Sequence, residues 1–257
     1  ENENELEVLI NTLDGYNYFI MGVGSNLLIR DQGYNGAIIK LGKGFNELKI
    51  EENFIQVGSS ILDINLSKFA KNNSIKNFEF FSGIPGTIGG AIKMNSGCFG
   101  FETKDILKKI KFFDINGIKN EINADKLDLK YRSSNLKDTD IITSAKFRIT
   151  YGEIQFIKDK INLIKLEREK KQPLKERTSG STFKNPPNLF AAELIEKAGC
   201  RGLEIGDAAV SLKHANFLIN KGKATAEEIE QLGKKIIDKV FDKFNILLDW
   251  EIKVVGD

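Results

Sequence analysis

Histidine is almost absent from this sequence, with His214 as its single representative. A metal centre or a proton relay that needs several imidazoles is therefore excluded. Cysteine is nearly as scarce, because only Cys98 and Cys200 occur and no CxxC spacing is present. We therefore expect two free thiols, no disulfide framework and no metal site.

An excess of charge of one sign is also lacking. The chain holds 38 lysines and arginines against 36 aspartates and glutamates, which leaves a formal net charge of +2. Such a balance provides no summed field that would attract a nucleic acid or a membrane surface, so we expect neither as a partner. Apolar runs of about 20 residues and a signal-peptide pattern are missing as well, which favours a cytoplasmic protein. The oligomeric state is left open.

The composition is that of a globular protein with a substantial core. Of 257 residues, 41% are hydrophobic and 29% are charged. Strand patterns with glycine turns occupy the first part, and mixed helix and loop patterns follow from about Tyr151. This order predicts an α+β fold with a boundary near Thr150.

Apolar periodicity predicts the secondary structure elements. Helices are expected at residues 4–13, 61–71, 154 to before 173 and 190–198, with a longer helix after Thr225 that carries Ile229, Leu232, Ile236, Val240 and Phe244. Strands are expected at 18–21, 37–41, 54–57, 111–115, 118–122, 141–149 and 250–255. Two pairs have the spacing of a capping box, namely Ser60 with Asp63 and Thr225 with Glu228. The buried stripe of the second helix is expected to be Leu62, Leu66 and Phe69. The pair Asn116-Gly117 predicts a hairpin, because both residues tolerate positive φ.

Two glycine-rich loops have the character of phosphate-binding segments. The first, Gly22-Val23-Gly24-Ser25-Asn26, follows a predicted strand, but Leu27 stands where a Rossmann fingerprint has its third glycine. Lys40 ends the next strand, where that fingerprint places an acidic residue. The second loop covers residues 83–91 (GIPGTIGGA), in which glycines allow backbone amides to approach a diphosphate closely. Together the loops favour a dinucleotide that is not bound in the Rossmann manner.

Six motifs then occur in the order of a known family. They are GVGSNLL at 22–28, GIPGTIGG at 83–90, YRSS at 131–134, GSTFKNP at 180–186, KHANF at 213–217 and EIK at 251–253. On these motifs, of which GSTFKNP is the most specific, nearly the whole chain resembles the UDP-N-acetylenolpyruvoylglucosamine reductases. The resemblance implies the vanillyl-alcohol-oxidase-like (PCMH-type) FAD-binding fold with a smaller α+β substrate-binding domain.

The resemblance also implies a domain division and an activity. Residues 1–42 and 43–150 are expected to form two FAD-binding subdomains, and 151–257 a substrate domain whose terminal strand returns to the active site. We expect the first subdomain to be truncated, because the family's flavin-contacting Thr-Thr-Phe-x-x-Gly-Gly-like segment is not found. The lack of an insert between Arg132 and Ser181 indicates the shorter subclass without a tyrosine loop. NADPH is expected to reduce FAD, which passes a hydride to UDP-N-acetylglucosamine enolpyruvate, giving UDP-N-acetylmuramate for peptidoglycan synthesis.

The resemblance assigns roles to individual residues. Arg132 is expected to bind the substrate carboxylate, a task that suits a guanidinium, and Ser181 to donate a proton to a carbanion-like, strongly basic intermediate. Glu251 corresponds to the family's catalytic glutamate. The substrate's UDP part is assigned to Lys184 and Asn185. The FAD contacts are assigned to Gly22, Val23, Gly24, Ser25, Asn26, Leu27, Ile84, Pro85, Gly86, Gly89, Gly90 and Asn95. Plain alternatives are a turn arginine, a turn serine and a solvated edge glutamate.

Other functions remain open on the residues alone. A flavin oxidase of the same fold would carry its cofactor covalently, with Cys98 as the nearest candidate. A hydrolase built on Ser181 and His214 would lack both an acidic partner and the Gly-x-Ser-x-Gly elbow. A non-enzymatic nucleotide-binding module would use the glycine loops alone. We assign His214 no catalytic role, because a packed structural histidine explains it equally well.

Overall fold

The computed structural model describes residues 1–257 and divides the chain into two compact units. The first unit consists of residues 1–23 and 36–167, and the second of residues 24–35 and 168–257. The chain passes between the units after residues 23, 35 and 167, and the last of these points lies within the helix α4, Ile154–Lys171. The three-part division expected from the sequence stays a prediction. No helix is both long and apolar enough to cross a membrane.

A five-stranded antiparallel sheet forms the centre of the first unit. Its order is β4 (Leu48–Glu51), β5 (Phe54–Gly58), β10 (Ile141–Arg148), β8 (Leu107–Phe113) and β9 (Lys119–Asn123). Alternate residues such as Ile55, Val57 and Phe147 are fully buried, as expected for strands with one face on a core. The helices α2 (Asp63–Asn72) and α3 (Ile88–Lys93) contribute Leu66 and Ile92 to the same core.

A smaller layer in the first unit carries the beginning of the chain. The helix α1 (Glu3–Thr12) packs Leu6 and Ile10 beside the parallel pair β1 (Tyr18–Ile20) and β3 (Ala37–Ile39). The short pair β6 (Gly97–Cys98) and β7 (Phe101–Glu102) follows α3. These positions confirm the expected helix and strands at 4–13, 18–21 and 37–41.

The second unit packs two helices against short strands. They are α5 (Ala191–Lys197) and α6 (Ala226–Phe244), with the antiparallel sheet of β11 (Glu204–Ile205), β12 (Ala208–Val210) and β13 (Leu218–Asn220). The last strand, β14 (Lys253–Val255), pairs in parallel with β2 (Leu27–Ile29). The capping box of Thr225 and Glu228 is confirmed. The carboxylate of Asp31 adds a second cap, since it accepts the amides of Ala226 and Glu227 at 2.9 and 3.1 Å.

Some local expectations were wrong. The helix α2 begins at Asp63, and its N-cap position is Leu62, which has no side chain that can accept a hydrogen bond. The predicted cap residue Ser60 lies outside the helix, where its hydroxyl donates to the Phe45 carbonyl at 2.7 Å. The buried face of α2 is Asp63, Leu66, Ser67 and Ala70, while Leu62 is exposed.

Two other elements differ in detail from their patterns. The predicted hairpin of β8 and β9 forms, but of the pair Asn116-Gly117 only Gly117 has positive φ. The connection is a longer loop, in which the Asp114 carboxylate accepts the amides of Asn116 and Ile118. The terminal strand is shorter than predicted. The chain changes partners there, with the Glu251 amide donating to Thr182 and the Lys253 amide to Asn26.

Candidate active site

The segment Ser181–Phe183 lies between two other motifs in the second unit. On one side the Thr182 amide donates to the Asn216 carbonyl at 2.8 Å, and Ser181 forms a β-bridge with Phe217. On the other side the Glu251 amide donates to the Thr182 carbonyl at 2.8 Å. The fold therefore brings GSTFKNP, KHANF and the terminal EIK motif together, although they are far apart in the sequence.

The predicted proton donor and the predicted glutamate are neighbours in this arrangement. Ser181 and Glu251 are both half-buried. Ser181 directly precedes Thr182 in the chain, and the Glu251 amide bonds to the Thr182 carbonyl. Gly180 precedes the serine with φ +87°, a conformation that a residue with a Cβ rarely adopts, so the sharp turn into the strand depends on glycine. Next to Ser181 and Glu251 in the chain, the rings of Phe183 and Trp250 pack with centroids 5.1 Å apart.

Part of the first glycine loop borders the same strands. The Asn26 side chain donates to the Glu251 carbonyl at 3.0 Å, and the Ser179 hydroxyl donates to the Leu27 carbonyl at 2.6 Å. The predicted flavin contacts Gly24, Ser25, Asn26 and Leu27 thus belong to the second unit, whereas Gly22 and Val23 belong to the first.

The side chain of Asn216 was not identified from the sequence as functional. It is 3% exposed and makes two hydrogen bonds to one residue: its Oδ1 accepts the Phe183 amide at 2.9 Å, and its Nδ2 donates to the Phe183 carbonyl at 2.8 Å. No periodicity indicates such a contact, because it joins residues 33 positions apart. Only its place in the KHANF motif drew attention to it.

His214 lies in the same motif but packs as a structural residue. Its Nδ1 accepts the Asn216 amide at 3.3 Å, and its ring meets that of Phe217 edge-on at 4.7 Å. Burial, assisted by the charge of Arg201, lowers the pKa of His214. A neutral imidazole agrees with the acceptor role of Nδ1.

The second glycine loop lies in the first unit, where Gly86 touches α2. A Cβ at Gly86 would lie 2.7 Å from Oδ2 of Asp63, and one at Gly22 would lie 2.6 Å from Oγ1 of Thr87. The amides of Ile88 and Gly89 donate to backbone carbonyls of Ile61 and Ser59, both at 2.9 Å. Those of Gly86 and Thr87 make no backbone hydrogen bond, so they remain available to an anion.

Asp63 is a buried acid beneath this loop. It is 0% exposed, and neither carboxyl oxygen has a hydrogen-bond partner in the protein. Burial raises the pKa of Asp63 well above its ordinary value, because desolvation penalises the charged carboxylate. The sequence did not indicate a buried acid here, because its spacing from Ser60 assigned Asp63 to a capping box.

Arg132 stands at the tip of a tight turn in the first unit. Lys130 and Ser133 exchange amide-to-carbonyl hydrogen bonds, both at 3.2 Å, and Arg132 between them has φ +53°. Its guanidinium carbon lies 4.8 Å from the centre of the Tyr131 ring, and its Nη2 donates to the Gly97 carbonyl at 3.2 Å. Positive φ at a residue other than glycine is strained, and such strain concentrates at functional sites.

Asn95 supports that turn from within. It is 0% exposed, its Nδ2 donates to the Lys130 carbonyl and to Glu102, both at 3.1 Å, and its Oδ1 accepts the Lys104 amide at 3.0 Å. The side chain is thus occupied inside the first unit. Its expected flavin contact stays a prediction.

The remaining predicted residues are placed as follows. In the first unit Ile84 is half-buried, while Pro85 and Gly90 are exposed. In the second, Lys184 is half-buried, and the Oδ1 of Asn185 accepts the Ala191 amide at 3.0 Å at the start of α5.

Two family models match the chain in sequence order. An FAD binding domain matches residues 1–119. The C-terminal domain of UDP-N-acetylenolpyruvoylglucosamine reductase matches residues 172–255. The two matches agree with the α+β, PCMH-type fold expected from the motifs, and that expectation is confirmed.

Similar proteins extend this agreement over most of the chain. The UDP-N-acetylenolpyruvoylglucosamine reductase of Rickettsia massiliae (strain Mtu5) is 46% identical over 235 residues, 91% of this chain and 80% of the relative. That of Rickettsia bellii (strain RML369-C) is 46% identical over 91% of this chain and 78% of the relative. The crystal structure of the reductase MurB from Thermus caldophilus matches with a TM-score of 0.88 and 30% identity, covering 100% of this chain and 90% of that one. The chain therefore belongs to the UDP-N-acetylenolpyruvoylglucosamine reductase (MurB) family of FAD-dependent oxidoreductases.

Proposed function

We propose that this chain reduces the enolpyruvyl group of UDP-N-acetylglucosamine enolpyruvate to UDP-N-acetylmuramate, with NADPH as the electron source, FAD as the hydride carrier and catalysis by Arg132, Ser181 and Glu251. The observation that supports the residue roles most directly is the hydrogen bond from the Glu251 amide to the Thr182 carbonyl, because it sets the strand of Glu251 beside that of Ser181. The family relationship supports the substrate and the cofactors.

The glycine loop of the first unit fits the diphosphate of FAD. The amides of Gly86 and Thr87 make no backbone hydrogen bond and so can donate to an anion, while the lack of a Cβ at Gly22 and Gly86 lets the loop pack closely on Thr87 and Asp63. FAD, when bound, supplies the chemistry of hydride transfer from NADPH to the substrate. We assign its contacts to Gly22, Val23, Gly24, Ser25, Asn26, Leu27, Ile84, Pro85, Gly86, Gly89, Gly90 and Asn95.

Arg132 binds the carboxylate of the enolpyruvyl group. Addition of hydride to the terminal carbon leaves negative charge on the adjacent carbon, delocalised into that carboxylate. A guanidinium stays charged at all relevant pH values and can donate two hydrogen bonds to a carboxylate. The strained turn holds the base of the side chain in one orientation, which lowers the cost of aligning it.

Ser181 delivers the proton that completes the reduction. A serine hydroxyl is a weak acid, but a carbanion-like centre is a strong enough base to take its proton, and solvent then restores the hydroxyl. Glu251 acts in the same step from the neighbouring strand. Lys184, whose amide donates to the Asp249 carbonyl at 2.8 Å, and Asn185 follow Ser181 closely and bind the UDP part of the substrate.

The colour of the flavin tests the proposal in two steps. The purified protein loaded with FAD should lose its yellow colour with NADPH under anaerobic conditions and regain it on addition of UDP-N-acetylglucosamine enolpyruvate. Flavin that is reduced but never reoxidised by this substrate contradicts the proposed function. Flavin that stays with the chain after denaturation indicates a covalent oxidase instead, and a flavin that NADPH does not reduce indicates a binding module.

A cytoplasmic location is part of the same proposal. Both the nucleotide sugar and NADPH are soluble cytoplasmic metabolites, so an enzyme that uses them would work where they are found. Fractionation of cells with an antibody against the chain would test this location.

A further inference from the structure

Asn216 holds the segment that carries Ser181 by three hydrogen bonds. Its carbonyl accepts the Thr182 amide at 2.8 Å, and its side-chain amide makes the reciprocal pair with Phe183 at 2.9 and 2.8 Å. The Leu218 amide adds a bond to Oγ1 of Thr182 at 3.2 Å. Thr182 and Phe183, which follow Ser181, therefore both donate their amides to Asn216. Thr182 is held further through its hydroxyl, and Phe183 through its carbonyl.

The side chain of Asn216 takes the place of a backbone partner. Ser181 forms a β-bridge with Phe217, and the Thr182 amide donates to the Asn216 carbonyl, but Phe183 makes no backbone hydrogen bond to this segment. The segment turns away here, since the Phe217 amide donates back to the His214 carbonyl at 3.0 Å. A carboxamide presents one acceptor and one donor in a plane, as a peptide group does, and so pairs with both the amide and the carbonyl of Phe183.

Burial makes this contact sensitive to substitution. Asn216 is 3% exposed, Thr182 is 1% exposed and Phe183 is 1% exposed, so water cannot replace a lost bond without rearrangement. Displacement of Phe183 would move Ser181 on one side and Lys184 on the other. A catalytic group that is misplaced by about 1 Å can slow a reaction by about 10²-fold.

We propose that Asn216 is a positioning residue for the reduction of the substrate. It acts by fixing the backbone at Phe183 and thereby the place of Ser181, and it touches neither substrate nor flavin in this role. The inference rests on the proposed function, in which Ser181 acts only after the flavin has been reduced.

The first test compares Asn216→Ala with a matched asparagine variant. Asn220 also uses its carboxamide for backbone bonds in the second unit, accepting the Gly222 and Ala224 amides at 2.9 and 3.0 Å, but it does not bind the Ser181 segment. Stopped-flow absorbance of the flavin separates the two half-reactions. We expect Asn216→Ala to slow reoxidation by substrate by about 10²-fold while reduction by NADPH changes less than about twofold. Asn220→Ala should leave both rates near those of the unaltered enzyme.

A second variant gives a signature that loss of stability alone would not produce. A protonated aspartic acid at position 216 offers a donor and an acceptor as asparagine does, whereas an aspartate anion offers acceptors only. Reoxidation of Asn216→Asp should therefore recover toward the unaltered rate as pH falls and decline as pH rises. The bordering segments carry the titratable groups Lys184, Lys213, His214, Asp249, Glu251 and Lys253. All of them are common to Asn216→Asp and the unaltered protein, so the ratio of the two reoxidation rates at each pH reports on position 216.

The outcomes distinguish this inference from the function on which it rests. If Ser181→Ala slows reoxidation but Asn216→Ala does not, the inference is wrong and the proposed function stands. If Asn216→Ala slows both half-reactions equally, or if the Asn216→Asp ratio is flat with pH, the residue is merely structural. If Ser181→Ala reoxidises at the unaltered rate, the proposed role of Ser181 fails. If Asn216→Ala does not fold, the pH dependence of Asn216→Asp decides.

Discussion

The Thr182 carbonyl accepts the amide hydrogen of Glu251 at 2.8 Å, and this bond joins two strands that each carry a proposed catalytic side chain. Ser181 precedes the acceptor and Glu251 provides the donor. The serine and the glutamate are thus held by the backbone, so their side chains can be replaced without removing the bond. This independence makes single substitutions at the two positions interpretable.

Ser181→Ala should separate the two half-reactions. Without the hydroxyl, reoxidation of reduced flavin by the substrate should slow by about 10²- to 10⁴-fold, the usual contribution of a positioned proton donor. Reduction of the flavin by NADPH should be nearly unchanged, because it needs no proton from this residue. Single-turnover absorbance at the flavin band measures both rates, and an equal loss in both would contradict the role.

Glu251→Gln should also act on substrate reduction alone. The glutamine keeps the size of the side chain and the amide bond to Thr182 but cannot carry or exchange a proton. We expect slower reoxidation by the substrate, with flavin reduction by NADPH retained. The same substitution at Glu204, which pairs with Lys221 at 2.8 Å on the surface, is the matched control. Reoxidation of Glu251→Gln at the unaltered rate would leave this glutamate without a catalytic role.

Gly86→Ala should weaken FAD binding. The new methyl group would lie 2.7 Å from Oδ2 of Asp63, so the loop has to move and its amides with it. The dissociation constant of FAD, measured by recovery of flavin fluorescence, should rise by about tenfold or more, since one misplaced charge-assisted hydrogen bond is worth about 1.5–3 kcal/mol. The double variant Asp63→Ala/Gly86→Ala should regain part of the affinity. Equal affinities in the single and double variants would show that the contact with Asp63 is not the cause.

The free energy of unfolding of Asp63→Asn, relative to that of the unaltered protein, should increase as pH rises. Because the pKa of Asp63 is raised in the folded state, the folded protein keeps a proton that the unfolded chain releases. That contribution to stability is fully present below the ordinary pKa of an aspartate. It is lost as pH rises toward the raised value, by about 1.4 kcal/mol for each step of one pH unit between the two values. Asp63→Asn has no proton to release at this position, so its stability does not fall in this way as pH rises. Urea unfolding at pH 5 and pH 8 should show an advantage for Asp63→Asn that is larger at pH 8, and a constant difference would contradict a raised pKa for Asp63.

His214→Gln should reduce the loss of stability on acidification. The pKa of His214 is lowered in the folded state, so the unfolded chain binds a proton more readily. The cost appears as pH falls through the ordinary histidine pKa of about 6.5 toward the lower folded value, and is absent above it. The difference in melting temperature between the two proteins should therefore change between pH 7.5 and pH 5.5. The lack of another histidine makes the assignment direct.

Most regular elements could be predicted from the sequence, because their causes are local. The apolar residues of α6 repeat at helical spacing after a capping box, and those of β10 alternate as a half-buried strand should. The strand β2 was missed because its three residues follow a glycine loop without alternation, and its partner β14 lies at the far end of the chain. The cap of α2 was misplaced because Ser60 found closer carbonyl partners in another segment.

By itself, the sequence determined the class of fold, the family and the set of candidate residues, since motifs and periodicities are properties of neighbouring positions. Tertiary structure alone decided how those residues are held. Three contacts depend on groups that are distant in the chain: the hydrogen bond between Thr182 and Glu251, those between Asn216 and Phe183, and the close packing of Gly86 on the buried Asp63. A hydrogen bond or a close contact of this kind depends on where two backbones meet, and that is set by the packing of the whole unit and not by the residues beside each partner.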